Sequence, residues 1–206
     1  MAKLAITDHP VNELISRRWS PKAFSNREIA DSQLRSLFEA ARWAASSFNE
    51  QPWAFVIARK QDEEEYKRAL ACLSEKNAEW ARTAPVIFFT FCKERLARND
   101  KPNFHAAHDL GMAMGNFCAE ATARGLLLHQ MGGILRDEIR QAYSVPEGWT
   151  PVAAAALGYA ADPADLDPGT AEQEKRPRTR KPLSDMAFSG LFGAAANFLQ
   201  PTQHGH

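Results

Sequence analysis

The chain has 206 residues, 45% of them hydrophobic, and its 25 basic residues balance its 25 acidic residues. This length and composition are typical of one soluble globular domain and exclude a chain that is disordered throughout. The zero net charge argues against a general nucleic-acid-binding protein, which is usually basic.

Cysteine usage and the absence of long apolar runs bear on the compartment. Cys72, Cys92 and Cys118 are an odd number at wide spacing, which fits reduced thiols better than a disulfide framework. The N-terminus has no signal-like apolar segment, and no apolar run reaches the length of a membrane span. We therefore expect a cytoplasmic protein with no membrane partner.

The first third of the chain predicts two helices, a loop and a strand. Apolar spacing favours helices over residues 11–18 and 31–45, with Asp31 as the N-cap of the second. Small hydroxyls, amides and a proline make residues 46–53 a polar loop. The apolar run over residues 53–58 predicts a buried strand.

The middle of the chain contains the strongest strand signal. Asp62 is placed to cap a helix that reaches residue 73, and residues 77–84 add a helical turn. Residues 85–92 are β-branched or aromatic with no polar face, which is typical of a central strand covered on both sides. Residues 104–124 then predict the longest helix.

The C-terminal third begins with short strands and a helix and continues into a segment rich in proline and charge. Strands are predicted over residues 126–129 and 152–159, and a helix is predicted over residues 135–143. Residues 162–182 are rich in proline and charge, which predicts an extended arm. Residues 183–206 regain apolar side chains and predict a tail that docks on its own domain or on a partner. We treat the whole chain, residues 1–206, as one domain with these two extensions.

Three separated groups of residues share the chemistry needed to bind a phosphorylated planar cofactor. Cations and a hydroxyl suit phosphate, amides and hydroxyls suit the edge of a heterocycle, and glycine lets backbone N–H groups approach a ligand. The first group is Arg18, Ser20 and Lys22; the second is Ser46, Ser47, Asn49 and Gln51; the third is Met131, Gly132 and Gly133, and Arg178 and Arg180 add late cations. The residues alone also leave open, and favour, a helix-rich domain with ordinary loops.

Other chemistries have less support in the sequence. No P-loop and no dinucleotide-binding glycine fingerprint occurs. His105 and His108 lack further metal ligands, so we predict no metal site. A hydrolase built on Ser46 or Ser47 with His129 is conceivable, but the nucleophile-elbow motif is missing.

Two motifs resemble the FMN-dependent nitroreductase family. Arg-Arg-Trp-Ser-Pro-Lys-Ala-Phe begins at Arg17, and Ser-Ser-Phe-Asn-Glu-Gln-Pro-Trp begins at Ser46. Further matches follow in order, among them Asp109-Leu110-Gly111, Met131-Gly132-Gly133 and Arg178-Thr179-Arg180. The resemblance covers roughly residues 11–188.

The resemblance implies an α+β fold with a central mixed β-sheet of four to five strands flanked by helices. It also implies a homodimer that exchanges the C-terminal arm and has FMN sites lined by both chains. The implied FMN ligands are Arg18, Trp19, Ser20, Lys22, Ser46, Ser47, Asn49, Gln51, Asn77, Met131, Gly132, Gly133, Arg178 and Arg180. Trp19 departs from the family, which usually has Arg or His there, so its contact is by the backbone or lost.

The activity implied by the resemblance is ping-pong transfer of hydride from NADH or NADPH to FMN and then to a nitroaromatic or quinone. No catalytic side chain is implied, because the chemistry takes place on the FMN ring. Phe48 and Phe104 are candidate walls of the acceptor pocket, or alternatively core aromatics. A specialised enzyme acting on one metabolite (an enal, a halogenated aromatic or flavin itself) and an FMN-binding module without turnover stay open as alternatives.

Overall fold

The computed structural model describes residues 3–199, which form an α+β fold around a four-stranded sheet. The strands are β1 (Trp53–Arg59), β2 (Val86–Lys93), β3 (Leu127–Met131) and β4 (Trp149–Gly158). Their order in the sheet is β1-β2-β4-β3, so β2 and β4 are the central strands. The predicted α+β class, the strand count and the central place of β2 are confirmed.

The prediction of a mixed sheet was wrong. All three pairs of neighbouring strands in the described part of the chain run antiparallel. The mixed sheet was implied by the family resemblance, and the apolar run of β2 indicated only that both of its faces are covered. Here helices cover both faces of an antiparallel sheet, which buries β2 to the same extent.

Seven α-helices surround the sheet within residues 3–199. They are α1 (Glu13–Arg17), α2 (Asp31–Arg42), α3 (Glu63–Ala71), α4 (Glu75–Ala81), α5 (Ala106–Ala123), α6 (Arg136–Ala142) and α7 (Pro168–Lys175). None of the helices in this part of the chain is long and apolar enough to cross a membrane.

Alternate side chains of β2 enter two separate core layers, because successive residues of a strand point to opposite faces. Phe88 packs in the layer that α2 and α5 build, where it meets Phe117 with ring centroids 5.2 Å apart. Ile87 and Phe89 pack in the layer that α3, α4 and α6 cover. Both layers are fully buried, so the sheet is the middle of three layers.

Local capping follows the sequence at some helix ends and departs from it at others. Asp62 caps α3 by accepting a hydrogen bond from the Glu65 N–H at 3.3 Å, as predicted. Gly125 follows α5 with a φ of 73°, the left-handed conformation that favours glycine. Asp31 is the first residue of α2, not its N-cap, because its carboxylate binds the Arg59 guanidinium at 2.6 Å.

The predicted extended arm, residues 162–182, was wrong in its first half. Residues 163–165 form a 3₁₀ turn and α7 follows directly. The Asp167 carboxylate accepts a hydrogen bond from the Thr170 N–H at 3.0 Å, and Pro168 occupies the first helical position, where proline is favourable. These two residues start a helix in a segment whose polar composition predicted none.

Internal contacts divide the chain into a main unit that ends at Lys175 and a C-terminal unit that begins at Arg176. Within the C-terminal unit, a bridge pairs Phe188 with Ala195 and the Phe188 and Phe192 rings lie 5.0 Å apart. The predicted tail, residues 183–206, extends beyond this description, because residues 200–206 lie outside the described part of the chain.

Candidate functional site

The first predicted ligands lie in a basic turn, residues 18–22, which follows α1. The Arg18 guanidinium donates a hydrogen bond to the Ser20 hydroxyl at 3.2 Å. The Lys22 ammonium donates to the Gln173 side-chain oxygen of α7 at 3.3 Å. The cations of the turn therefore engage only neutral partners in these bonds, and an anion can compete for them.

Trp19 stands apart from these polar contacts. Its indole is half-buried, and the Lys3 ammonium lies 5.4 Å from the ring centroid. A cation at this distance from an aromatic face is a weak, favourable contact. The structure thus gives Trp19 a local packing partner, while its proposed cofactor contact stays a prediction.

Side chains from distant parts of the sequence hold the backbone of the basic turn. His129 of β3 lies with its Nδ1 atom 2.9 Å from the Pro21 carbonyl oxygen. Glu174 of α7 accepts a hydrogen bond from the Lys22 N–H at 3.1 Å. The Thr83 hydroxyl lies 3.3 Å from the Lys22 carbonyl oxygen. Because its backbone groups are bound, the turn is pre-organised before any ligand arrives.

His129 supports the turn through the Nδ1 atom of its ring. A carbonyl oxygen only accepts, so the Nδ1 atom of His129 carries the proton donated to Pro21. The ring also packs against Trp80 at 4.5 Å between centroids. Burial lowers the pKa of His129, which keeps the ring neutral at pH 7.

The predicted group of Met131, Gly132 and Gly133 contacts α4 through Gly133. The Gly133 carbonyl oxygen accepts hydrogen bonds from the Ser74 N–H at 3.0 Å and from the Asn77 amide at 3.1 Å. A Cβ on Gly133 would lie 2.6 Å from the Asn77 amide nitrogen, whereas a Cβ on Gly132 would meet nothing within 4 Å. Glycine at 133 thus permits close approach to Asn77, and Gly132 leaves open space beside it.

Met131 contributes to this group through its backbone alone. It is the last residue of β3, not part of the following loop, and its side chain is buried in the core. The sequence predicted that this strand ends at residue 129. Pairing with Ala154 of β4 extends it through Met131.

One residue of the basic turn and one residue of α4 line a common groove of about 550 Å³ between α4 and α7. Lys22 and Asn77 both line this groove, and Trp80 and Thr83, which contact the supports of the basic turn, also line it. The structure therefore brings together residues that lie 55 positions apart in sequence.

The predicted ligands Ser46, Ser47, Asn49 and Gln51 lie in a loop, residues 46–51, whose backbone is strained. Phe48, Asn49 and Gln51 have φ values of 55°, 57° and 48°, which side-chain-bearing residues adopt only at an energetic cost. Strain of this kind is concentrated at functional sites. The loop is held open by specific bonds and not by a glycine.

The bonds of this loop attach it to the N-terminal end of α5. The Asp109 carboxylate accepts from the Ser47 N–H at 3.0 Å, and the Glu50 carboxylate accepts from the Ala97 N–H at 2.7 Å. The Ser46 hydroxyl accepts from the Gln51 N–H at 3.1 Å. These supports differ from those of the basic turn, and neither serine is bonded to His129, so the arrangement does not support the hydrolase alternative.

Phe48 and Phe104 are surface aromatics. Their exposed fractions are 67% and 89%, which excludes the alternative that they are core residues. The Arg98 guanidinium stacks on Phe48 at 3.6 Å from the ring centroid. Two large exposed aromatic side chains are unusual for solvent-facing loops and suit a flat ligand or a partner surface.

The late cations belong to the C-terminal unit. Arg180 donates a hydrogen bond to the neighbouring Thr179 carbonyl oxygen at 2.7 Å. Arg178 is half-buried and Arg180 is exposed. Their role toward the phosphate stays a prediction.

The residues present fit the predicted phosphorylated planar cofactor. Arg18 and Lys22 supply the charge, Ser20 supplies a hydroxyl, and the Asn77 amide suits a heterocyclic edge. The open Cβ position of Gly132 leaves room for a flat ring close to the backbone.

Comparisons with known proteins identify the family of the chain. The family model described as the nitroreductase family matches residues 15–159. A putative NADH dehydrogenase/NAD(P)H nitroreductase of Methanothermobacter thermautotrophicus is 28% identical over 166 residues, covering 78% of this chain and 80% of that protein. An uncharacterized 15.4 kDa protein of Mycolicibacterium smegmatis is 32% identical over 145 residues, covering 68% of this chain and 97% of that protein.

A solved structure described as an oxidoreductase containing FMN is similar over nearly the whole chain. Its TM-score is 0.87 at 34% identity, covering 92% of this chain and 96% of that one. The family match includes the basic turn, the loop at residues 46–51 and the glycine pair. The chain therefore belongs to the nitroreductase family.

Proposed function

We propose that the chain is a cytoplasmic, homodimeric FMN oxidoreductase that uses NADH or NADPH to reduce planar, electron-poor acceptors such as nitroaromatics or quinones. The observation that carries this proposal is the meeting of Lys22 and Asn77 at one groove beside a pre-organised basic turn, with the Asn77 amide bonded to Gly133. The FMN named for the similar solved structure supports the choice of cofactor.

Each group of residues then has a role in holding FMN. Arg18 would bind the phosphate, and Ser20 would bind the ribityl chain. Lys22 and Asn77 would donate to the pyrimidine edge, and the backbone at Gly132 and Gly133 would lie beside the ring. When bound, FMN supplies the redox chemistry, taking hydride from the nicotinamide and returning it to the acceptor.

Phe48 and Phe104 would form the walls of the acceptor pocket. Phe48 and Phe104 offer flat apolar surfaces against which a planar acceptor can stack. His129, neutral and bound to Pro21, holds the turn. The chain thus binds and orients the reactants without a dedicated acid or base.

Steady-state kinetics test the activity. Initial rates measured at several nicotinamide and acceptor concentrations should give parallel double-reciprocal lines, because both substrates use the same site in turn. Intersecting lines would contradict the ping-pong proposal. Turnover with one metabolite only would favour the specialised enzyme, and FMN binding without any turnover would favour the binding module.

The position of the loop at residues 46–51 supports the proposal of a homodimer. This loop carries predicted FMN ligands, yet its bonds attach it to α5 and not to the basic turn. The outer face of α5 and the adjacent α1 expose Ile15 and Met112 beside two small residues, Gly111 and Gly115. We propose that this face pairs with a second copy, whose loop completes the site.

Subunit complementation checks that pairing. Arg18→Ala/Lys22→Ala and Ser47→Phe should each be inactive alone, since one damages the basic turn and the other blocks the loop. After mixing and exchange of equal amounts, about a quarter of the wild-type activity should return, because half the dimers are mixed and each has one intact site. No recovery, with exchange verified by mass, would show that both groups serve the same chain's site.

A further inference from the structure

Glu174 is an acidic side chain buried beneath a basic, ligand-binding turn. It belongs to α7, and only 9% of its surface is exposed. One carboxylate oxygen accepts a hydrogen bond from the Lys22 N–H at 3.1 Å, and its own carbonyl oxygen accepts from the Lys3 ammonium. The residue before it, Gln173, accepts from the Lys22 side chain at 3.3 Å. Two successive residues of α7 are thus bonded to Lys22.

Burial of this carboxylate costs free energy. Its second oxygen, Oε2, finds no hydrogen-bond partner within residues 3–199. Burial raises the pKa of Glu174, against the opposing effects of the Lys22 N–H and of the Lys3 and Lys22 charges. An apolar side chain would dock α7 without this penalty. The bond to the Lys22 backbone, by contrast, needs an acceptor oxygen at this place.

The backbone of Lys22 is held at both of its polar groups. Glu174 binds the N–H, and the Thr83 hydroxyl lies 3.3 Å from the carbonyl oxygen. With both peptide groups fixed, the direction of the Cα–Cβ bond is fixed too, and the Lys22 side chain lines the groove with Asn77. A displacement of the turn by about 1 Å would therefore move the ammonium group away from any ligand bound there.

We propose that Glu174 is a positioning residue that sets Lys22 for FMN binding. This inference rests on the proposed function, because it assigns Glu174 a role in the same cofactor site. The role of α7 is then to carry the residue that positions Lys22, which its short charged sequence does not indicate. Glu174 acts through Lys22 and does not itself need to touch the cofactor.

Titration of the apoprotein with FMN, followed by flavin fluorescence, tests this role. Glu174→Ala removes the acceptor for the Lys22 N–H and should weaken FMN binding about tenfold, the equivalent of one buried donor left without its partner. Glu174→Gln retains an acceptor oxygen and should stay within about threefold of wild type. Glu172→Ala, on the exposed side of the same helix, should leave the affinity unchanged.

A double-mutant cycle separates positioning from mere support of the fold. In a Lys22→Met background, Glu174→Ala should weaken FMN binding less than about twofold, because the group that it positions has gone. An equal loss in both backgrounds would overturn the proposal, and so would an Ala variant as tight as wild type. If Glu174→Ala does not fold, Glu174→Asp, with a shorter reach to Lys22, takes its place in the cycle.

Failure of the inference and failure of the proposed function give different results. Wild-type protein that binds FMN while the Glu174 variants show no coupling to Lys22 would refute only the role of Glu174. Wild-type protein that does not bind FMN at all would refute the proposed function, and the inference with it.

Discussion

Replacing Arg18 and Lys22 together with alanine should weaken FMN binding by about 100-fold or more. Each side chain supplies a hydrogen bond from a charged donor, and such bonds contribute about 1.5–3 kcal/mol. Two of them correspond to about 3–6 kcal/mol, and each 1.4 kcal/mol changes the affinity tenfold. The turn itself should persist, because its backbone is held by His129 and Glu174.

A matched control removes two cations without touching the proposed site. Arg17 pairs with Glu13 on the surface of α1, and Lys67 pairs with Glu63 and Glu64 on α3. Arg17→Ala/Lys67→Ala therefore makes the same change in net charge. The control should bind FMN within about twofold of wild type, because exposed ion pairs contribute little. Equal losses in the two double variants would mean that the basic turn has no specific role.

Gly158→Ala should destabilise the apoprotein by about 1–3 kcal/mol. Gly158 ends β4, and a Cβ there would lie 2.7 Å from Pro85 Cδ and 2.9 Å from Phe24 Cδ1. These are ring carbons of buried residues, so they cannot rotate aside as the end of a flexible chain does. Phe24 lies two residues after Lys22, so FMN affinity should fall as well.

Thermal unfolding of the apoprotein measures this effect against Gly132→Ala. A Cβ at 132 meets nothing within 4 Å, so that variant should melt with the wild type. The Gly158 variant should melt about 2–12 °C lower, given the usual relation between stability and melting temperature at this chain length. An unchanged melting temperature would show that the contact between β4 and the segment after the basic turn is loose.

The sequence predicted most elements because their signals are local. The apolar run of β2 and the spacing of Leu34, Leu37 and Ala41 on α2 determine which faces are buried, whatever the neighbours. Strand direction is different, since it depends on which strands pair. The burial of β2 could not distinguish an antiparallel sheet covered by helices from a parallel one.

The predicted site residues were found by motif, whereas their supports left no pattern. His129, Thr83 and Glu174 each bind a backbone group of the basic turn, from 61 to 152 positions away. A single polar residue with a backbone partner has no spacing signature. Glu174 in particular lies in a charged stretch that composition assigned to a solvated arm, and only tertiary packing buries it.

The central claim, that this chain holds FMN as a working redox cofactor, is tested most directly with the purified protein. We expect a yellow protein, or an apoprotein that FMN makes yellow. The colour should be lost when NADH or NADPH is added without oxygen. A colourless protein that FMN cannot reconstitute would contradict the account, and so would a yellow protein that neither nicotinamide bleaches.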